Sequence, residues 1–282
     1  MTRQEVTPTA RTTEFPFVGS NEPALLKILR AAVAANPLML DRPLFCSADY
    51  SVFLEFLADR PMASHYLDVP LRAFVGTQHL NFDPDARTWR HGLTALTGED
   101  KDGGKWDDRA LAYFESEIGD QRFPCDAASG TALQLAAWNG AVFSDNGAHR
   151  LIAAVCWLAA RKGSEAELRK VRVSHRTLNH EAVELLAKAA AAGWEIAEGR
   201  HGSGWLIRVT EPRRASYFFV QRVGAGPKHV KRSELDAICG GRSLPGDTSS
   251  DDWLGLKPFP AELALALADG AWLQKQLAAP RY

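Results

Sequence analysis

Six consecutive residues, Asp145-Asn146-Gly147-Ala148-His149-Arg150, place a carboxylate, an amide, a glycine, an imidazole and a guanidinium directly ahead of the apolar run Leu151–Ala160. The run reads as the body of a helix, and the residues before it as a tight loop leaving a strand. A helix start leaves its first amides unpaired and carries partial positive charge. Gly147 has no side chain, so a ligand oxygen can approach the backbone there. His149 and Arg150 add donors at the same end, and the arginine fork matches two phosphate oxygens. Gly147, Ala148, His149 and Arg150 therefore form an expected phosphate-binding set. His149 titrates near neutral pH and can give or take a proton. Asp145 fits a base or a Mg²⁺ ligand, because Mg²⁺ is held by carboxylates together with phosphate oxygens. The same residues also fit a plainer reading, with a turn glycine, a capping histidine and a surface arginine paired to an acid. Context decides between the two.

The context is a strand pair and a helix. Thr131–Trp138 and Ala141–Ser144 read as strands joined by Asn139-Gly140, the favoured two-residue type I′ turn. His149–Arg161 follows as a helix with a broad apolar face, ended by Gly163. Leu168–Val173 returns as a strand. Upstream, a helix is expected from Asn21 to Asn36, and another after Ser47 presents Val52, Phe53, Phe56 and Leu57. Tyr66–Val75 reads as one strand. Gly76–Lys105 is weakly periodic and reads as a long insertion, with His79, Asp83, Asp85, Arg87, Arg90 and His91 mostly on a solvated loop. Asp107 caps a helix through Tyr113 and Phe114. Downstream come an Ala-rich helix at Asn179–Ala192 and short strands at Trp194–Ala197, Trp205–Val209 and Tyr217–Val223. Ser233 caps a short helix, Gly240–Asp252 is a linker, and Phe259–Leu277 is a last amphipathic helix. His175 and His180 are not at the one-face spacing of a metal pair and read as capping or surface residues.

Composition bounds the partners. The 282 residues carry a formal net charge of −1, so the chain as a whole predicts no polyanion partner. The segment Gly199–Arg232 departs from that balance. Its Arg208, Arg213, Arg214, Arg222, Lys231 and Arg232 are interleaved with Trp205, Tyr217, Phe218 and Phe219, a mixture that can track a phosphate backbone and stack bases. A small sheet with buried aromatics and a solvated charged face fits it equally well. None of the four cysteines pairs as CxxC, and Cys156 reads as a core thiol. Met1–Glu22 lacks the apolar core of a signal peptide. No apolar run reaches the roughly 20 residues that span a bilayer. A soluble, cytoplasmic protein is expected, without a membrane partner.

Asp145–Ala154 resembles the signature of the ParB/sulfiredoxin superfamily, in which a G-x-H-R or G-x-R-R element opens a helix after a strand and is followed by small apolar residues. The order of elements is similar too: an early strand with Val69-Pro70-Leu71, a helix before the hairpin, the motif helix, then Val171–Val173. The likeness covers Leu67–Thr177. It implies an α+β fold with a ParB/sulfiredoxin-like small mixed sheet and packed helices over residues 65–178. Around it would lie a flexible arm at 1–20, an N-terminal helical extension at 21–64 and a C-terminal β-rich subdomain at 179–282. It implies nucleotide phosphate binding by Gly147, His149 and Arg150, with ATP or CTP as ligand. Members include partition proteins, sulfinic acid reductases, kinases, plasmid nucleases or ATPases, and plasmid fertility-inhibition proteins. Ala148 stands where sulfiredoxins carry cysteine, which argues against sulfinic acid reduction. The resulting expectation is ATP-dependent phosphoryl transfer or phosphodiester hydrolysis linked to a plasmid or mobile element. The alternative is a non-catalytic module that binds DNA or a protein of conjugation or partition machinery.

Overall fold

The computed structural model describes residues 31, 38–80, 87–94, 96, 108–124, 132–238 and 254–282. The helix expected at 21–36, the Asp107 cap, Asp83, Asp85 and the 240–252 linker lie outside the described residues, apart from Ala31, which is helical.

In chain order the elements are β1 (Phe45–Cys46), α1 (Ser51–Leu57), β2 (Ala63–Pro70), β3 (Phe74–Thr77), α2 (Trp89–Thr94) and α3 (Asp108–Glu115). Then come β4 (Gln134–Trp138), β5 (Ala141–Asn146), α4 (Ala148–Lys162), β6 (Glu167–Arg176) and α5 (His180–Ala191). The last part holds β7 (Glu195–His201), β8 (Gly204–Glu211), β9 (Arg214–Val220), β10 (Lys228–Val230), α6 (Leu235–Ile238), β11 (Lys257–Phe259), α7 (Ala261–Ala268) and α8 (Ala271–Ala278). The fold is mixed α+β with two sheets. The first sheet has the order β1-β3-β5-β4-β6-β2, and the second, wholly antiparallel, has the order β10-β9-β8-β7-β11.

In the first sheet β1, β3 and β5 run parallel, and the β4–β5 hairpin sets β6 parallel to β4. One face carries Leu135, Val142, Val171 and Val173 and packs against α4, α2 and α3. The other face carries Val75, Trp138, Ala141 and Phe143 and packs against α1, α5 and α7. Those same helices receive Ile196, Trp205, Ile207, Val209 and Val220 of the second sheet. Phe53 of α1, for example, lies 5.5 Å from the Trp205 ring and 5.4 Å from that of Phe259. One helical layer therefore serves both sheets. The outer face of the second sheet, Leu206 and Tyr217, is covered by Leu235 and Leu254.

Several expectations change in detail. The strand expected at 66–75 is two strands, broken at Pro70, which has no N–H to donate to a ladder, and by a 3-10 turn at Leu71–Ala73. The expected insertion is partly core, since Trp89 and Leu93 of α2 are completely or almost completely buried. Val52 is exposed rather than part of the apolar face of α1. The Asn139-Gly140 turn joins the hairpin in two residues, with Asn139 left-handed at φ 48°. Gly140 does not share that conformation, so the turn is not type I′. Gly140 is needed for proximity instead: a Cβ there would lie 2.3 Å from the Asp269 carbonyl oxygen. The last helix is interrupted at Asp269-Gly270, and its start is the strand β11. Asn179 caps α5 through its side chain, which accepts from Ala182 N–H at 3.1 Å.

Candidate functional site

The carboxyl ends of the parallel strands β1, β3 and β5 meet at one edge of the first sheet, where Cys46 pairs with Thr77 and Thr77 with Ser144. The chain leaving β1 forms α1 on one face of the sheet, and the chain leaving β5 forms α4 on the other. In open α/β sheets, such an edge, where connections diverge to opposite faces, is where ligands bind. The loop leaving β3 is fastened there. Gln78 N–H donates to Ser144 Oγ at 3.3 Å, the Cys46 thiol donates to Gln78 O at 3.4 Å, and Thr77 Oγ1 donates to His79 O at 2.8 Å.

The expected motif sits at this edge. Asp145 and Asn146 belong to the end of β5 and are exposed. Gly147 is the N-cap of α4, left-handed at φ 94°, and provides no side-chain cap. The first bond of the helix is Leu151 N–H to Gly147 O at 2.9 Å. Ala148, His149 and Arg150 therefore make up the first turn of a 15-residue helix. Ala148 is buried and His149 is half-buried.

Arg150 is placed differently from the sequence expectation. It is only 4% exposed. Its guanidinium lies 5.6 Å over the Phe123 ring. A Cβ on Gly147 would stand 2.8 Å from Arg150 Nε and 2.9 Å from Leu133 Cδ1. The space left by the missing side chain at 147 is thus taken up by Arg150 itself. Beside the guanidinium is Tyr113 of α3, whose buried hydroxyl has no hydrogen-bond partner of ordinary geometry among the described residues. Burial raises its pKa, and the neighbouring Arg150 charge and the Leu133 backbone oppose that rise. α3 is held to α4 by the Trp157 indole N–H, which donates to Glu115 Oε1 at 2.8 Å. Tyr113 was not singled out in the sequence; the signal was its place beside Phe114 on the apolar side of α3.

Alternation along β5 puts Asp145 on the side of Phe143, which faces the α1–α5–α7 layer, whereas Ser144 shares the α4 side with Val142. Asp145 therefore reaches the end of α4 only around the edge of the sheet. Among the described residues no three His, Cys, Asp or Glu side chains gather as a metal set. A Mg²⁺ ion here would rest on Asp145 and on oxygens of the ligand and water.

The basic set of the second sheet is not one patch. Arg208 is half-buried on the outer face opposite Tyr217. Arg213 and Arg214 are exposed at the β8–β9 turn, with Arg214 paired to Glu211 at 3.1 Å. Lys231 and Arg232 follow β10, which lies along β9, toward that same tip. Arg222 lies beyond the opposite end of β9.

His175, expected at a surface or cap, is a buried member of a pair. Its Nε2 lies 2.9 Å from His65 Nδ1, and the rings stack with centroids 5.1 Å apart. Burial and the neighbouring imidazole lower the His175 pKa. The pair lies toward the Ala137 end of β4, away from the motif, because Arg172 is the residue opposite Gln134. Its sequence signal was alternation: His65 precedes Leu67 and Val69, and His175 follows Val171 and Val173, at i, i+2 spacing.

Cys156 is fully buried, and burial pushes its thiol pKa up, as expected for a core cysteine. No described helix is long and apolar enough to cross a membrane. Comparison with protein-family models, with curated proteins and with solved structures finds no match for this chain.

Proposed function

We propose that the chain binds the phosphates of a nucleotide, ATP or CTP with Mg²⁺, at the amino end of α4. We further propose that it uses them in phosphoryl transfer or phosphodiester hydrolysis, within a ParB/sulfiredoxin-like domain. One observation carries the reading. The first turn of α4, with no side-chain cap from Gly147, opens at the carboxyl edge of three parallel strands and carries the buried Arg150, with the buried Tyr113 hydroxyl beside that guanidinium. Helix amides supply the anion site. Arg150 adds a fixed positive charge beneath it, and its burial makes that charge a field rather than a direct grip. His149 is the group placed to exchange a proton with a bound phosphate, and Asp145 is the carboxylate nearest in sequence for a metal ion.

The test measures ATP and CTP binding and hydrolysis with Mg²⁺, and DNA cleavage, for the wild type and for His149→Ala and Asp145→Asn. His149→Ala is expected to weaken nucleotide binding by about tenfold, the worth of one charge-assisted hydrogen bond. Thermal unfolding checks that each variant is folded, which matters most for Arg150→Ala because Arg150 is buried. Unchanged nucleotide affinity in folded His149→Ala and Arg150→Ala overturns the site. Wild-type binding without turnover removes the enzymatic part.

The exposed tip cluster Arg213, Arg214, Lys231 and Arg232 favours a second reading, a DNA-binding module without turnover that regulates transfer or partition of a mobile element. If so, neutralising Arg213 and Arg214 is expected to reduce the slope of log affinity against log salt by about 2. An unchanged slope rejects the cluster as a DNA contact.

A further inference from the structure

A cleft of about 660 Å³ opens between α1, the end of β6 and the second sheet, and is lined among others by Phe56, Arg60, Arg176, Arg200, Trp205 and Val223. It is separate from the α4 edge, because it lies on the α1 side of the first sheet. Its floor is aromatic and fixed. The Trp205 indole N–H donates to the buried Glu198 Oε2 at 2.5 Å. The ring is wedged between Phe53 at 5.5 Å and Phe56 at 5.6 Å.

The rim combines apolar and cationic groups. Val52 is 58% exposed and Val223 61%, both large hydrophobics left in water at the mouth. Arg176 is committed within the protein, to Glu55 at 3.0 Å and over the Trp138 ring at 5.6 Å. Arg60 and Arg200 are exposed and make no hydrogen bond or ion pair with another described residue. With Glu55 and Asp59 also lining the cleft, three arginines against two carboxylates leave one net positive charge. A concave site in the range of about 300–1,000 Å³, with an apolar floor and a few cationic groups at its mouth, has the dimensions of a small-ligand pocket rather than of a protein interface.

We propose that this cleft binds a small aromatic anion, with the ring over Phe56 and Trp205 and the carboxylate or phosphate between Arg60 and Arg200. The guanidinium forks match either oxyanion, and Phe56, half-buried at the cleft and backed by the fixed indole, gives the ring an aromatic contact.

The test titrates the full chain with phenyl phosphate and, separately, with benzoate, inorganic phosphate, benzyl alcohol and a short acidic peptide without aromatic residues. It follows the amide resonances of Val223 and Gly224. Saturable one-to-one binding of at least one aromatic anion is expected, with Kd on the order of 0.1–1 mM for a ligand of this size. Which of phenyl phosphate and benzoate binds tighter identifies the head group. Arg200→Gln is expected to weaken it about tenfold, the loss of one charge-assisted interaction. Val223→Asp, an exposed position that leaves the core intact, is expected to weaken it similarly by repelling the anion. His149→Ala is expected to leave it unchanged, so the outcome does not depend on the nucleotide reading. The proposal is overturned if neither aromatic anion saturates by about 10 mM. It is equally overturned if inorganic phosphate or benzyl alcohol binds as well as the aromatic anions, if Arg200→Gln, Val223→Asp and His149→Ala depart from these expectations, or if the acidic peptide binds tighter, which marks the cleft as a protein-docking surface.

Discussion

Gly147→Ala is expected to destabilise the protein by about 2–5 kcal/mol. Two costs add. A side chain at φ 94° pays the left-handed penalty of about 1–2 kcal/mol. The new methyl also falls within 3 Å of Arg150 Nε and Leu133 Cδ1, and relieving such overpacking costs about 1–3 kcal/mol. Arg150 has little room to yield, because its guanidinium is enclosed by Phe123 and lies beside Tyr113. For a chain of this size the loss corresponds to a fall in Tm on the order of 5–10 °C. Urea unfolding of wild type, Gly147→Ala and Gly147→Asn separates the two costs. Asparagine tolerates the left-handed backbone but not the contact, so it should recover only the conformational part. If Gly147→Ala unfolds at the wild-type midpoint, the buried position of Arg150 is wrong, and the case for a charge beneath the α4 end goes with it.

Asp68→Ala is expected to cost about 2–4 kcal/mol, for a different reason. Asp68 is 3% exposed at an irregularity of the β2–β6 ladder. Its carboxylate accepts from Lys170 N–H at 2.9 Å, the Tyr282 hydroxyl at 2.8 Å and Arg281 Nη1 at 3.0 Å. Removing it strands a backbone amide in the left-handed residue Lys170 and releases the segment that follows α8. Unsatisfied buried donors cost about 1–3 kcal/mol each, and bonds to a charged acceptor are at the stronger end. Asp68→Asn keeps one acceptor oxygen and should lose about half as much. The same cluster gives an alkaline signature. Burial, the bond to Asp68 and its negative charge raise the Tyr282 pKa to about 12. Between the ordinary tyrosine pKa of about 10 and that value, the folded chain holds a proton that the unfolded chain releases, so stability falls as pH rises through this window. In Tyr282→Phe that part of the pH dependence should vanish. Retention of the full wild-type slope means that another group is titrating.

Local chemistry was legible in the sequence where it was strong. Asn139-Gly140 marked a two-residue hairpin and Gly147 a helix start, because each rests on backbone rules that act within a few residues. Trp89 was lost in a stretch judged irregular. Its burial comes from packing against the far-off α4, which no local period encodes. The direction of Arg150 was equally hidden. A guanidinium one residue past His149 reads as an outward donor until Tyr113 and Phe123, nearly forty and thirty residues away, are seen to enclose it. Strands β10 and β11 are three residues each, below the length at which alternation can be recognised.

The helical layer shared by the two sheets bears on how the gene can be cut. A fragment ending at residue 178 would keep the whole first sheet but lose α5 and α7, leaving Trp138, Ala141 and Phe143 largely uncovered. The complementary fragment would carry those helices and the second sheet but lose Phe53, Leu54 and Leu57 of α1. Each piece would present a wet apolar face suited mainly to the other, an arrangement that favours aggregation when one is made alone and reassociation when both are made together. Co-expressed halves, rather than either half by itself, are the form in which a split version of this chain should survive.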